Sequence, residues 1–197
     1  MTPTEVKETV AAMGFPIKQT TLQNYRRWGL MTPPVTKTLG RGKGRLTEYD
    51  PIVPAEIYAA QRMMKSDLGF STVQIAKFRA RFCALPNPDA PWPPDLITQA
   101  GALLWGLLRS LANHGVTAAD ELDFHIYPAE ALPEVWQVLR REEPRLALAE
   151  TPDIPREKLQ GLIVIRCRDG APGLMAAMYP EKYEVLTVPR QTEAMAP

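Results

Sequence analysis

Lys18-Gln-Thr-Thr-Leu-Gln-Asn-Tyr-Arg-Arg-Trp28-Gly-Leu30, with the loop that closes on Leu39-Gly-Arg-Gly-Lys-Gly-Arg-Leu-Thr-Glu-Tyr49, decides how this chain is read. Lys18, Arg26, Arg27, Lys37, Arg41, Lys43 and Arg45 are cations, and no Asp or Glu stands between Glu8 and Glu48. An unopposed basic run on a featureless loop is ordinarily a solvated face. Here the cations alternate with Gln19, Gln23 and Asn24, whose amides can donate and accept at once against adenine. Thr20 and Thr21 can bond phosphate or touch a thymine methyl. The stretch has the chemistry of a DNA contact.

Charge along the chain supports a division of labour. Residues 1–82 carry thirteen Lys and Arg against six Asp and Glu; residues 83–197 carry ten against sixteen. The near-neutral total conceals one module able to neutralise phosphates and one that is acidic. With 45% hydrophobic residues the chain can bury a real core. Two cysteines, Cys83 and Cys167, imply no disulfide framework and are expected as buried free thiols in a reducing compartment. The N-terminus lacks a signal-peptide pattern, and Thr98, Gln99 and Arg109 interrupt the greasiest stretch. A soluble, cytoplasmic protein without a membrane partner is expected.

Punctuation then sets out the elements. Thr2-Pro3-Thr4-Glu5 opens a helix with Val6, Val10 and Met13 on one face and a stop at Gly14. A second helix is predicted over Gln19 to Trp28, ended by Gly29. Two short helices joined through Phe15-Pro-Ile17 read as a helix-turn-helix. Pro33-Pro34 forbids further helix, so Val35 to Leu39 and Arg45 to Tyr49 pair as a wing around three alternate glycines. A nucleotide-phosphate loop is the competing reading of those glycines, but the full fingerprint and its preceding strand are absent. A third helix runs to about Ser66, with Ile57, Gln61, Met64 and Leu68 as its stripe, and Ser71-Thr-Val-Gln74 is a capping box for a fourth.

Thr21-Leu22, Tyr25, Gly29-Leu30, the proline pair, the Gly/Arg wing closing on Tyr49-Asp50, and Leu68-Gly-Phe-Ser71 with Ile75 resemble the N-terminal DNA-binding domain of MerR-type regulators over about residues 4–82. That resemblance implies a second helix in the major groove and a wing on the backbone beside it, which by position implicates Thr21, Tyr25 and Arg45. The expected DNA-binding set is Lys18, Gln19, Thr20, Thr21, Gln23, Asn24, Tyr25, Arg26, Lys37, Arg41, Lys43 and Arg45.

Five prolines between Pro86 and Pro94 mark residues 83–95 as a linker. A helix from Asp95 to about Asn113 follows, its Leu103, Leu104, Leu107 and Leu111 being either plain core or a dimer contact. Strands are predicted at 122–127, 162–167 and 183–188, with a helix over 133–148. Residues 96–190 thus form a dimerisation, effector or partner-binding module, and 191–197 a frayed tail. The expected fold class is α+β: an N-terminal winged helix-turn-helix of four helices and a two-stranded wing, then a helix and a small α+β C-terminal module. No catalytic constellation or cofactor loop stands out, and His114, His125 and Cys167, far apart in sequence, do not make a metal-ligand spacing. The reading that follows is a sequence-specific transcription regulator of MerR type, not an enzyme and without a cofactor. It would bind double-stranded DNA as a homodimer, with a small-molecule or protein effector at the C-terminal module. The alternatives are an accessory factor in recombination or plasmid and phage maintenance, or a docking or enzymatic module tethered to DNA.

Overall fold

The computed structural model describes residues 1–38, 45–85, 95–117, 123–131, 159–166, 172–179 and 183–187, together with residues 133, 134, 137, 138 and 141. Arg41, Lys43, Cys167, the greater part of the helix expected over 133–148, and the tail lie outside them.

Two compact units divide the chain, Met1–Ala84 with Leu104–Ala119, and Leu85–Leu103 with Asp120–Pro197. In the first unit, α1 (Pro3–Ala12) is opened by Thr2, whose hydroxyl accepts from the Glu5 N–H while the Glu5 carboxylate accepts from the Thr2 N–H. α2 (Gln19–Arg27) ends at Gly29, φ +72°. There the Leu30 N–H reaches back to the Tyr25 carbonyl at 3.0 Å, the left-handed closure that suits glycine. β1 (Val35–Thr38) and β2 (Arg45–Glu48) pair antiparallel with Val35 opposite Glu48. The base of this hairpin is tied down where the backbones of Met1 and Tyr49 exchange hydrogen bonds of 2.7 and 2.8 Å.

α3 (Val53–Met64) is the centre of the unit: every residue from Val53 to Ala60 is buried, so the stripe expected through Ile57, Gln61, Met64 and Leu68 is too narrow, and Leu68 faces water. α1 packs chiefly against α3. α4 (Thr72–Ala84) starts at the reciprocal Ser71–Gln74 bonds and buries Ile75 and Phe78. α5 (Leu96–Asn113) opens where Asp95 accepts from the Thr98 N–H at 2.8 Å, and its second half belongs to this unit through the fully buried Trp105.

The second unit contains the sheet β3 (Asp123–Pro128), β4 (Gly161–Arg166), β5 (Pro172–Met178) and β6 (Tyr183–Thr187), antiparallel throughout in that order. Leu162, Val164, Met175 and Ala177 project from one face into a cluster with Leu159 and Tyr179; Ile163, Ile165, Ala176 and Met178 are buried on the other. A sheet covered on both faces has apolar central strands, as β4 does.

Two expectations are corrected by this order of elements. A winged helix-turn-helix sets a three-helix bundle ahead of its wing, whereas only α1 and α2 precede the hairpin β1–β2 here. The chain therefore lacks the winged helix-turn-helix that the MerR-type resemblance implied, and the transcription-regulator function expected from it does not stand. The expected fold class fails for the same reason: among the elements that the described residues delimit, two helices and a hairpin are followed by three helices and then a four-stranded sheet. Glycine and proline stops report where a helix ends, but which helices pack around a hairpin is decided by contacts remote in sequence. β5 was missed because Ala176 and Ala177 are poor strand formers. Cys83 is exposed, not buried.

Candidate nucleic-acid interface

α2 divides cleanly by the 100° step of a helix. Leu22 and Tyr25 are buried, while Gln19, Thr20, Gln23, Asn24, Arg26 and Arg27 are exposed and Thr21 is half-buried. Thr20, Gln23, Asn24 and Arg27 project opposite the buried pair, so one exposed face carries two amides, a hydroxyl and a guanidinium. Lys18 stands at the N-cap with no side-chain cap bond. The first-turn N–H groups therefore point outward beside a cation, and no acid sits in that turn to occupy them.

Tyr25 is removed from the expected contact set. Its ring is 3% exposed, and its hydroxyl accepts from the Gln61 amide on α3, so it locks α2 to the core. Burial raises its pKa and also, against the nearby Arg26 charge, that of Tyr49. The neutral phenol is the form the fold holds. Both tyrosines thus contribute stability that is complete below the ordinary value of about 10 and is lost as pH rises through their higher folded values. An alkaline titration followed by phenolate absorbance and circular dichroism should show unfolding above about pH 10. Tyr25→Phe should move that alkaline limb upward; an unchanged limb would reject the assignment.

The hairpin contributes less than expected. Lys37 is exposed but donates to Glu48 across the strands at 2.7 Å, and that bond lowers the Glu48 pKa. Part of its charge is spent before any partner arrives. Arg45 is exposed. Two residues outside the expected set join the surface: Arg27, on the outward arc, and Trp28, 45% exposed at the end of α2. The Arg26-Arg27-Trp28 run was the available signal for both.

Leu103, Leu104 and Leu107 are buried within the chain, and Leu111 is half-buried, so the apolar stripe is largely consumed by the chain's own core. His114 bonds the Ser110 carbonyl and His125 the Asp123 carboxylate, both at 2.8 Å. Among the described residues, no three His, Cys, Asp or Glu side chains come together as a metal site, and no helix is long and apolar enough to cross a membrane. No protein-family model, curated protein or solved structure matches this chain.

One buried polar network was not foreseen. Glu56 on α3, 1% exposed, accepts from Arg79 of α4 at 2.9 Å and from the Thr32 hydroxyl at 3.0 Å, and also from the Thr32 N–H. The Arg79 guanidinium also donates to the Thr32 hydroxyl at 2.9 Å and lies 5.8 Å from the centre of the Trp105 ring. This joins the segment that leaves α2 to three later helices, and so positions the exposed α2 face.

Proposed function

We propose that this protein is a binding module that holds DNA through its phosphate backbone, using the exposed face of α2 and the adjoining hairpin. The observation that carries the reading is the combination on α2: Lys18, Arg26 and Arg27 are exposed at the ends of a helix that contains no acid, and Thr20, Gln23 and Asn24 fill the surface between them. Phosphate oxygens take charge-assisted bonds from guanidinium and ammonium groups and from uncapped helix N–H groups. The reading is led by charge and requires no recognition helix seated in a groove.

Binding of the full chain to a duplex of about 20 base pairs should weaken about 100-fold between 50 and 200 mM salt if some four phosphates are engaged. Arg27→Gln should make that salt dependence shallower by about one phosphate contact. Glu48→Gln should instead tighten binding by releasing Lys37 from its ion pair. Fluorescence anisotropy with a labelled duplex reads all three. No binding at the lower salt, either to the duplex or to one of its separated strands, would remove the proposal.

A further inference from the structure

Trp28 is unusual for what surrounds it. An indole that is 45% exposed leaves apolar surface in water, which the hydrophobic effect disfavours. Its position is nevertheless defined. The ring lies 6.1 Å from that of buried Tyr25, tilted by 43°, and nearly half of the residue's surface still faces water. The Trp28 N–H closes the last turn on the Asn24 carbonyl at 2.8 Å, and Gly29 then turns the chain away. Asn24 is one helical turn before Trp28 and on its side of α2, with Arg27 adjacent.

We propose that Trp28 is a stacking platform for an unpaired base, so that the surface takes single-stranded or locally melted DNA in preference to a closed duplex. This rests on the backbone-binding reading above and adds the state of the DNA to it. In a duplex both faces of every base are already stacked, and an indole on a protein surface has nothing to meet. In a single strand each base has a free π-face, and an aromatic platform beside guanidinium groups is the usual means of holding it without regard to sequence. The charge on this face suits the phosphates to either side of such a base. Asn24 can donate to and accept from the base edge.

The test uses the full chain and three labelled probes of equal length: a mixed-sequence single strand, the corresponding duplex, and a single strand of abasic sites that keeps the phosphates and lacks the bases. The intact protein should prefer the ordinary single strand to both others. Trp28→Ala should weaken its binding about 5- to 150-fold, the range for one lost base stack, while leaving binding of the abasic strand unchanged. Trp28→Phe should recover most of the loss. The salt slope should be the same for Trp28→Ala as for the unaltered chain, since stacking releases no counterions, whereas Arg27→Gln should make the slope for single strands shallower by about 0.7. Tighter binding to the duplex, or equal loss on ordinary and abasic strands for Trp28→Ala, would overturn the stacking proposal and leave the backbone reading standing. Failure of all three probes to bind at low salt would overturn the backbone reading itself.

Discussion

Arg79→Ala should be among the most damaging single changes in the protein, costing about 3–5 kcal/mol, because it strands a buried carboxylate. Glu56 is 1% exposed and takes its compensation from Arg79 and Thr32. Without the guanidinium the carboxylate stays buried with only Thr32 to bond it, a large loss beside the roughly 5–15 kcal/mol of stability a domain typically has. Glu56→Ala should cost a similar amount by the converse route, since it removes the carboxylate that the Arg79 side chain, 16% exposed, and the Thr32 N–H donate to and leaves the guanidinium charge unpaired. The double variant should lose less than the two single losses added together, as partners in one network are not independent. Lys37–Glu48 provides the control. That pair is shorter, 2.7 Å against 2.9 Å, but its side chains are 61% and 42% exposed, so Lys37→Gln should cost no more than about 1 kcal/mol. Urea unfolding followed by circular dichroism measures each. A loss below about 1 kcal/mol for Arg79→Ala would mean that the buried network contributes no more than a surface pair.

Gly106→Ala should also destabilise, although exchange of glycine for alanine within a helix ordinarily gains about 1 kcal/mol. A Cβ at this position would lie 1.9 Å from Cε2 of Phe82 and 2.3 Å from its Cδ2, far inside contact distance. The ring is not free to swing aside. Trp105 packs against it with centroids 5.6 Å apart, and the Arg109 guanidinium lies 5.0 Å from its centre. Moving it gives up both contacts, so overpacking should outweigh helix propensity and leave a net loss of about 1–3 kcal/mol. The sign should reverse in a Phe82→Ala background, where the space is open and propensity alone remains. The same loss for Gly106→Ala with and without the Phe82 ring would show that the ring is not its cause.

The two variants test one idea, that α4 and the second half of α5 are integral to the unit bearing the exposed α2 face. A fragment ending near residue 82 would lack Trp105 and Leu108, both fully buried, and would leave Phe82 and Arg79 without their ring neighbour. DNA binding is therefore to be measured on the full chain.

Local chemistry determined a good part of this molecule. Thr2 and Glu5, Ser71 and Gln74, Asp95 and Thr98, and the stops at Gly14 and Gly29 act over two to five residues, and each marks a helix end that the structure contains. Apolar runs likewise located three of the four strands of the sheet to within a residue or two. On α2 the cations and amides were legible, because the order of residues around a helix is set by its pitch. Tertiary structure decided the rest. Thr32, Glu56 and Arg79 meet across separations of 24 and 47 residues, and no local signal specifies that meeting. The same long-range packing drew Tyr25 into the core and buried α3 nearly all round, and Trp28 was left at the surface. It also set only two helices ahead of the hairpin, where a resemblance built from turns and stops had implied a winged helix-turn-helix. Caps and turns are short-range and can be read along the chain; the partner of a buried side chain is chosen in three dimensions, where the free energy of burial is settled.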